Sequence, residues 1–266
     1  MNDMDKAFLF VYEPIMLGKG FKRKGIIFHR LLNRKIIQML SLFKYSIGFT
    51  IQFNIQPLCA GYMQTKIMDN TRLGSLLGKG SCAEWDFCES DLVDQVRESL
   101  VICEEYLFPC FEQVFDYYSY YEYAMDTHRR FISHISEAYK EKHRSILNVP
   151  NDDAFFATSL HIGNYSDAKT SKEAIIMIND NGYKTNLEAW KKRGINPPPE
   201  ILHDIENTRS DYLRVKKAID SNDRAFIQDV LEYIKAREAR SLESYIITFL
   251  GKIAFQAYQQ NIIDKE

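Results

Sequence analysis

Long apolar runs are missing from this chain. The most hydrophobic stretch, SYIITFLGKIAFQAYQQNII (244–263), is broken by Gly251 and Lys252. It falls short of the roughly 20 uninterrupted apolar residues that a membrane helix needs, and reads as a buried helix. The first residues, MNDMDKAFLFVYEPIM, carry acids where a signal peptide carries positive charge, so no export is expected. Cysteine is scarce: Cys59, Cys82, Cys88, Cys103 and Cys110 are odd in number and confined to the first half. That suits reduced thiols in a cytoplasm better than a disulfide framework. An excess of one charge is also missing, with 34 basic against 36 acidic side chains and a net charge of -2. Without a global positive field, a dedicated nucleic-acid-binding protein is disfavoured.

Catalytic signatures are missing as well. The six histidines never stand at i, i+4, no HExxH occurs, and neither Cys82/Cys88 nor Cys103/Cys110 has the CxxC form, so no metal is expected. His134 and Glu137 read as a surface charge pair. There is no GxSxG, no cysteine nucleophile motif and no EF-hand loop. The reading is therefore of no assignable catalytic residues and no cofactor, and it leans away from an enzyme without deciding the point.

What is present begins with GKGFKRKGIIFHR (18–30), five basic residues and a histidine around glycines. A phosphate loop follows a strand and opens a helix. Here the order is reversed, a helix over 3–17 leading into a strand, so the glycines read as helix stop and turn residues. From Gly25 onward GIIFHRLL, KIIQMLSLFKY and GFTIQFNIQPL are short, β-rich and separated by the turn-length gaps NR and SIG. They predict three antiparallel strands, with a further strand expected around Gln64–Leu76. After Ser90 the spacing of Leu92, Val96, Leu100, Cys103, Leu107, Phe111 and Val114 predicts a helix, kinked or ended at Pro109. The rest reads as helices over 119–145, 152–163, 166–180, 184–193, 199–221, 223–238 and 241–261, with breaks at Asn181-Gly182 and at the Pro-rich connector 194–199. The aromatic run FDYYSYYEY (115–123) reads as packing at a helix junction rather than as an interaction surface.

The fold class expected is thus α+β: residues 1–147 as an antiparallel sheet with flanking helices, and 152–266 as an all-α domain of helical hairpins. In the third strand Phe49, Ile51, Phe53 and Ile55 alternate with Thr50, Gln52, Asn54 and Gln56. The odd face is expected to be buried and the even neighbours more exposed. With a turn centred on Ser46, Ile37, Met39 and Phe43 join the odd core, while Leu40 and Leu42 lie beside Gln52 and Thr50. The amide-rich even face offers donors, acceptors and apolar area. Gln38, Gln52, Asn54 and Gln56, together with Lys22, Arg23, Lys24 and Arg30 in the basic turn, are the candidate binding residues.

These segments also bear a resemblance. Gly20-Phe21-Lys22, Phe28 and Arg30, Arg72-Leu73, Trp85 and Pro109 to Phe111 stand in the order found in an uncharacterised bacterial domain-of-unknown-function family, which the chain resembles over residues 5–118. A single tryptophan followed by an acid departs from its pattern. The resemblance implies a small α+β domain with no established activity. Genes for such domains look like those kept in contact-dependent toxin and immunity clusters, which points to binding rather than turnover. The expectation is a cytoplasmic protein-binding or adaptor module, immunity-like in neutralising a partner by covering it. Its partner is expected to be another protein, neither nucleic acid nor membrane, and its oligomeric state is not legible. The alternative is a nucleic-acid-related binder or enzyme, with the four basic residues converging on the amide face.

Overall fold

The computed structural model describes residues 2–60, 72–76, 85–86, 91–133, 147–150, 152–194 and 224–263, with positions 135–137, 140–141, 196, 213, 217, 220 and 221 between them. Most of the strand expected at Gln64–Leu76 and of the helix expected at 199–221, and His134, lie outside these residues. The class is α+β. The chain divides into two compact units, Met1–Ser119 with Arg237–Glu266, and Tyr120–Ala236. The boundary expected between 147 and 152 therefore falls inside the second unit, and the last stretch of the chain belongs with the sheet. The physical reason is that residues 237–263 supply the apolar side chains that one sheet face needs.

In the first unit, helix α1 (Asp3–Gly18) is capped by Asn2, whose side chain accepts from the Asp5 N–H at 2.9 Å. An Asn just before the first helical residue satisfies one of the free amides of the first turn. The sheet follows as β1 (Lys22–Lys24), β2 (Ile27–Leu32), β3 (Ile36–Lys44) and β4 (Gly48–Pro57), with β5 (Trp85–Asp86) at the far edge, in the order β1-β2-β3-β4-β5 and antiparallel throughout. A 3₁₀ turn, Leu58–Ala60, and a helical turn α2, Leu73–Leu76, come next. Helix α3 (Leu92–Ile102) is capped by Asp91, which accepts from the Val93 N–H at 2.7 Å. It continues through a π-type turn, Cys103–Leu107, into α4 (Phe108–Gln113). The wide turn lies directly before Pro109, the residue that has no N–H for the regular ladder. The expected stripe is inward: Val96, Cys103, Leu107, Phe111 and Val114 are all buried.

The register corrects one expectation. The turn after β3 has two central residues, Ser46 and Ile47, with Tyr45 N–H bonded to Gly48 O at 2.7 Å. Lys44 therefore opposes Phe49, Leu42 opposes Ile51, Leu40 opposes Phe53 and Gln38 opposes Ile55. A turn centred between two residues instead of on one shifts the pairing by one position and sends every β3 side chain to the other face. Leu40 and Leu42 join the Phe49–Ile55 face, and Ile37 and Met39 lie with the β4 amides.

In the second unit α5 (Tyr117–Ser133), from Tyr120 onward, is followed by α6 (Asp153–His161) and α7 (Tyr165–Lys192). Asp152 caps α6 by accepting from the Phe155 N–H at 2.8 Å, and Asn164 caps α7. Phe155, Phe156, Ala157 and Leu160 are buried, with Tyr121 stacked on Phe155 at 5.2 Å. Helix α7 runs through the expected break at Asn181-Gly182. Helix α8 (Arg224–Tyr245) passes by a second π-type turn, Ile246–Leu250, into α9 (Lys252–Ile263). At Gly251 φ is +87°, a backbone state that glycine adopts without penalty, and it divides what reads in the sequence as one helix over 241–261.

Candidate functional site

The opening basic stretch is a helix stop followed by a hairpin. Gly20 (φ +81°) ends α1, and Gly25 (φ +63°) turns β1 into β2. Residues 19–35 hold seven basic side chains and no acid, yet most are engaged within the first unit. Lys19 pairs with Glu112 at 3.0 Å and lies over the Phe108 ring. Arg23 pairs with Glu13 at 2.8 Å, and Lys24 donates to the Thr248 carbonyl. Arg30 stacks on Phe21 and donates to three acceptors, Gln38 Oε1 at 2.7 Å, Lys19 O at 2.7 Å and Phe111 O at 3.2 Å. By register, Lys22 and Lys24 lie on the face of His29, while Arg23 and Arg30 lie on the opposite one. The four candidate basic residues therefore do not converge on Gln52, Asn54 and Gln56.

The four candidate amides are divided in the same way. Gln38 is fully buried on the Phe49–Ile55 face, where Nε2 donates to both Phe111 O and Val114 O at 2.7 Å. Those carbonyls close the end of α4, where helices leave acceptors without internal partners. Gln52 and Gln56 are buried and Asn54 half-buried, with Asn54 donating to Gln56 at 3.3 Å. The expectation that the even neighbours of Phe49–Ile55 are the more exposed is thus corrected, since Thr50, Gln52 and Gln56 are buried too. The end of the chain covers part of this face, and the Arg72 backbone bridges to Gln52 elsewhere on it. Tyr245 and Ile246 pack with Ile37, Met39 and Leu58, flanked by Leu242, Phe249 and Phe255.

His29 sits in this second layer. It is buried, its Nδ1 shares a 2.9 Å hydrogen bond with the Tyr245 hydroxyl, and its ring lies 4.4 Å from that of Phe249. Burial, helped by the charges of Lys22 and Lys24, holds its pKa down at about 4. Burial also pushes the Tyr245 hydroxyl up to about 12. Both rings are therefore neutral at pH 7, as a shared hydrogen bond in an apolar layer requires.

A different surface appears at the β2–β3 turn. Asn33 and Arg34 have φ of 50° and 53°, the left-handed pair of a tight hairpin turn in which Asn-Gly is the favoured sequence. Lys35 N–H closes the turn on Leu32 O at 2.8 Å, and Asn33 Nδ2 donates to Phe115 O at 3.1 Å. Lys35 Nζ lies 5.2 Å over the Tyr117 ring. The aromatic run beside it splits at helical spacing. Tyr117 and Tyr120 are buried, while Phe115 is 49% and Tyr118 64% exposed. Asp116 is turned onto Ser119, accepting from its N–H at 2.9 Å and its hydroxyl at 2.8 Å, and Glu238 faces the Tyr117 hydroxyl. The Arg34 side chain has no hydrogen bond or ion pair among the described residues. Sequence reasoning took the aromatic run as packing and passed over Arg34, although the signals were there: an Arg where the turn prefers Gly, and aromatics spaced for two faces.

Among the described residues no three His, Cys, Asp or Glu side chains are grouped to hold a metal ion, and no helix is long and apolar enough to cross a membrane. No family model, no curated protein and no solved structure matches the chain.

Proposed function

We propose that the chain is a cytoplasmic protein-binding module rather than an enzyme, and that an immunity-like role, covering a partner and so neutralising it, is the specific form this takes. The observation that supports the reading is the division between what the first unit closes and what it leaves out. Both faces of the sheet lie under the chain's own side chains, amides included, while Phe115, Tyr118 and Arg34 stand outside. Aromatic rings beside an arginine are the side chains that carry most binding energy at protein interfaces. The nucleic-acid alternative needs several free cations along one groove, and most of those in residues 19–35 are engaged with Glu13, Glu112, backbone carbonyls or aromatic rings.

The test measures the full chain by fluorescence anisotropy, at physiological ionic strength, against a labelled single-stranded oligonucleotide and against pools of short labelled peptides. Saturable binding to a peptide pool and none to the oligonucleotide is expected. Saturable oligonucleotide binding that weakens steeply with added salt, with the peptides unbound, overturns the reading.

A further inference from the structure

Resting on the protein-binding reading, we infer that the tip of the β2–β3 hairpin and the start of α5 with the turn before it form one docking surface, made by Arg34, Phe115 and Tyr118, for a carboxylate-bearing segment of another protein, an Asp or Glu set beside a large apolar residue.

The two parts of the surface touch, since Asn33 of the hairpin donates to the Phe115 carbonyl and Lys35 lies over Tyr117. Arg34 holds the left-handed conformation, at φ 53°, in a position where glycine would be unstrained. A non-glycine residue there is strained, and among the described residues nothing uses the Arg34 side chain. Its guanidinium finds no acid among the described residues. The carboxylates of Asp116 and Glu238, on the segments that pack at this corner, are engaged elsewhere, Asp116 with Ser119 and Glu238 with the Tyr117 hydroxyl. What remains outward is one fork of five N–H donors, shaped for two-point contact with a carboxylate, and two exposed rings, Phe115 and Tyr118, on the segment to which the neighbouring Asn33 is bonded. The rings supply rigid apolar area at small entropic cost, and the Tyr118 hydroxyl supplies a polar end. A carboxylate with an apolar neighbour complements that set, whereas a basic segment would meet Arg34 and Lys35 with like charge.

The probes are a labelled pool of short peptides in which Asp and Glu alternate with Phe, Leu and Tyr, and a matched pool with Lys in place of each acid. The full chain is expected to prefer the acidic pool by at least about tenfold, and Arg34→Glu or Tyr118→Ala to weaken that binding by at least about tenfold. Arg34→Gly is the decisive variant. It relieves the left-handed strain, so its melting temperature is expected to be at or above the parent's while it loses the acidic peptides. A fold defect would move both quantities down together. Equal binding of the two pools, or acidic-pool binding that Arg34→Gly and Tyr118→Ala leave unchanged, overturns this surface and leaves the protein-binding reading standing. Binding of neither pool overturns both.

Discussion

Gln38→Leu is expected to lower the unfolding free energy of the full chain by about 2–6 kcal/mol, read from the urea midpoint at constant slope. Leucine fills nearly the same volume, so no cavity enters the argument. What changes is the account of polar groups. Gln38 Nε2 holds the carbonyls of Phe111 and Val114, and its Oε1 accepts from Arg30. Two of these partners, the Val114 carbonyl and the Arg30 Nε–H, are left unsatisfied at about 1–3 kcal/mol each, while the Phe111 carbonyl keeps Arg30 as a donor. Arg30 is part of the same device, because its other nitrogens reach the Lys19 carbonyl after α1 and the Phe111 carbonyl of α4. A glutamine and an arginine from neighbouring strands thus close two helix ends, where a cation is also favoured by the helix dipole. A loss below about 1 kcal/mol would mean that these carbonyls find other donors in the variant.

Acidification is expected to weaken the fold through His29. Above pH 6.5 the imidazole is neutral in both the folded and the unfolded chain, and contributes nothing to pH dependence. Below that value the unfolded chain takes up a proton while the folded one, with its pKa held at about 4, does not. Stability therefore falls as pH falls through this window and levels off below it. The loss reaches about 3 kcal/mol, since each pH unit between the two values is worth about 1.4 kcal/mol. Carboxylates titrate over part of the same range, so the measurement is the difference between the parent and His29→Gln, which keeps a partner for Tyr245 without a titrating ring. That difference is expected to change by about 3 kcal/mol between roughly pH 6.5 and 4. A flat difference would show that the ring gains its proton without leaving the Tyr245 layer. Lys22 and Lys24 are the charges acting on it, and both add to the depression.

The sequence carried the class and much of the sheet. The period-two alternation of Phe49 to Ile55 and the change to helical spacing after Ser90 are strong local signals, and their residues are buried as the pattern requires. The register was not legible, because Tyr45-Ser46-Ile47-Gly48 contains no Asn-Gly or Asp-Gly to mark a two-residue turn. One position of uncertainty there exchanges the two faces of β3, which is why Gln38 reads as an outward amide and is in fact a buried helix cap. The second miss is of another kind. That residues 237–263 return to the face of Ile37 and Met39 depends on contacts with no trace in local spacing. An alternating strand shows which residues face one side, but not what covers the other. For the candidate site, the basic residues were visible as a cluster, but charge counting along a chain does not see that Arg23 and Lys24 point to opposite faces of an edge strand.

The partnership of His29 with Tyr245 joins residues 216 positions apart, and that separation matters during synthesis. At about 5–20 residues per second, a ribosome needs roughly 10–40 s to travel from one to the other. For that interval the strands have emerged while Ile37, Met39 and Leu58 still lack the layer that shields them. The first unit can close only after its last helices leave the exit tunnel, so a stalled or prematurely ended chain presents an apolar β-surface to whatever is near. Shielding of that surface on the nascent chain is then a separate requirement from the equilibrium strength of the finished fold.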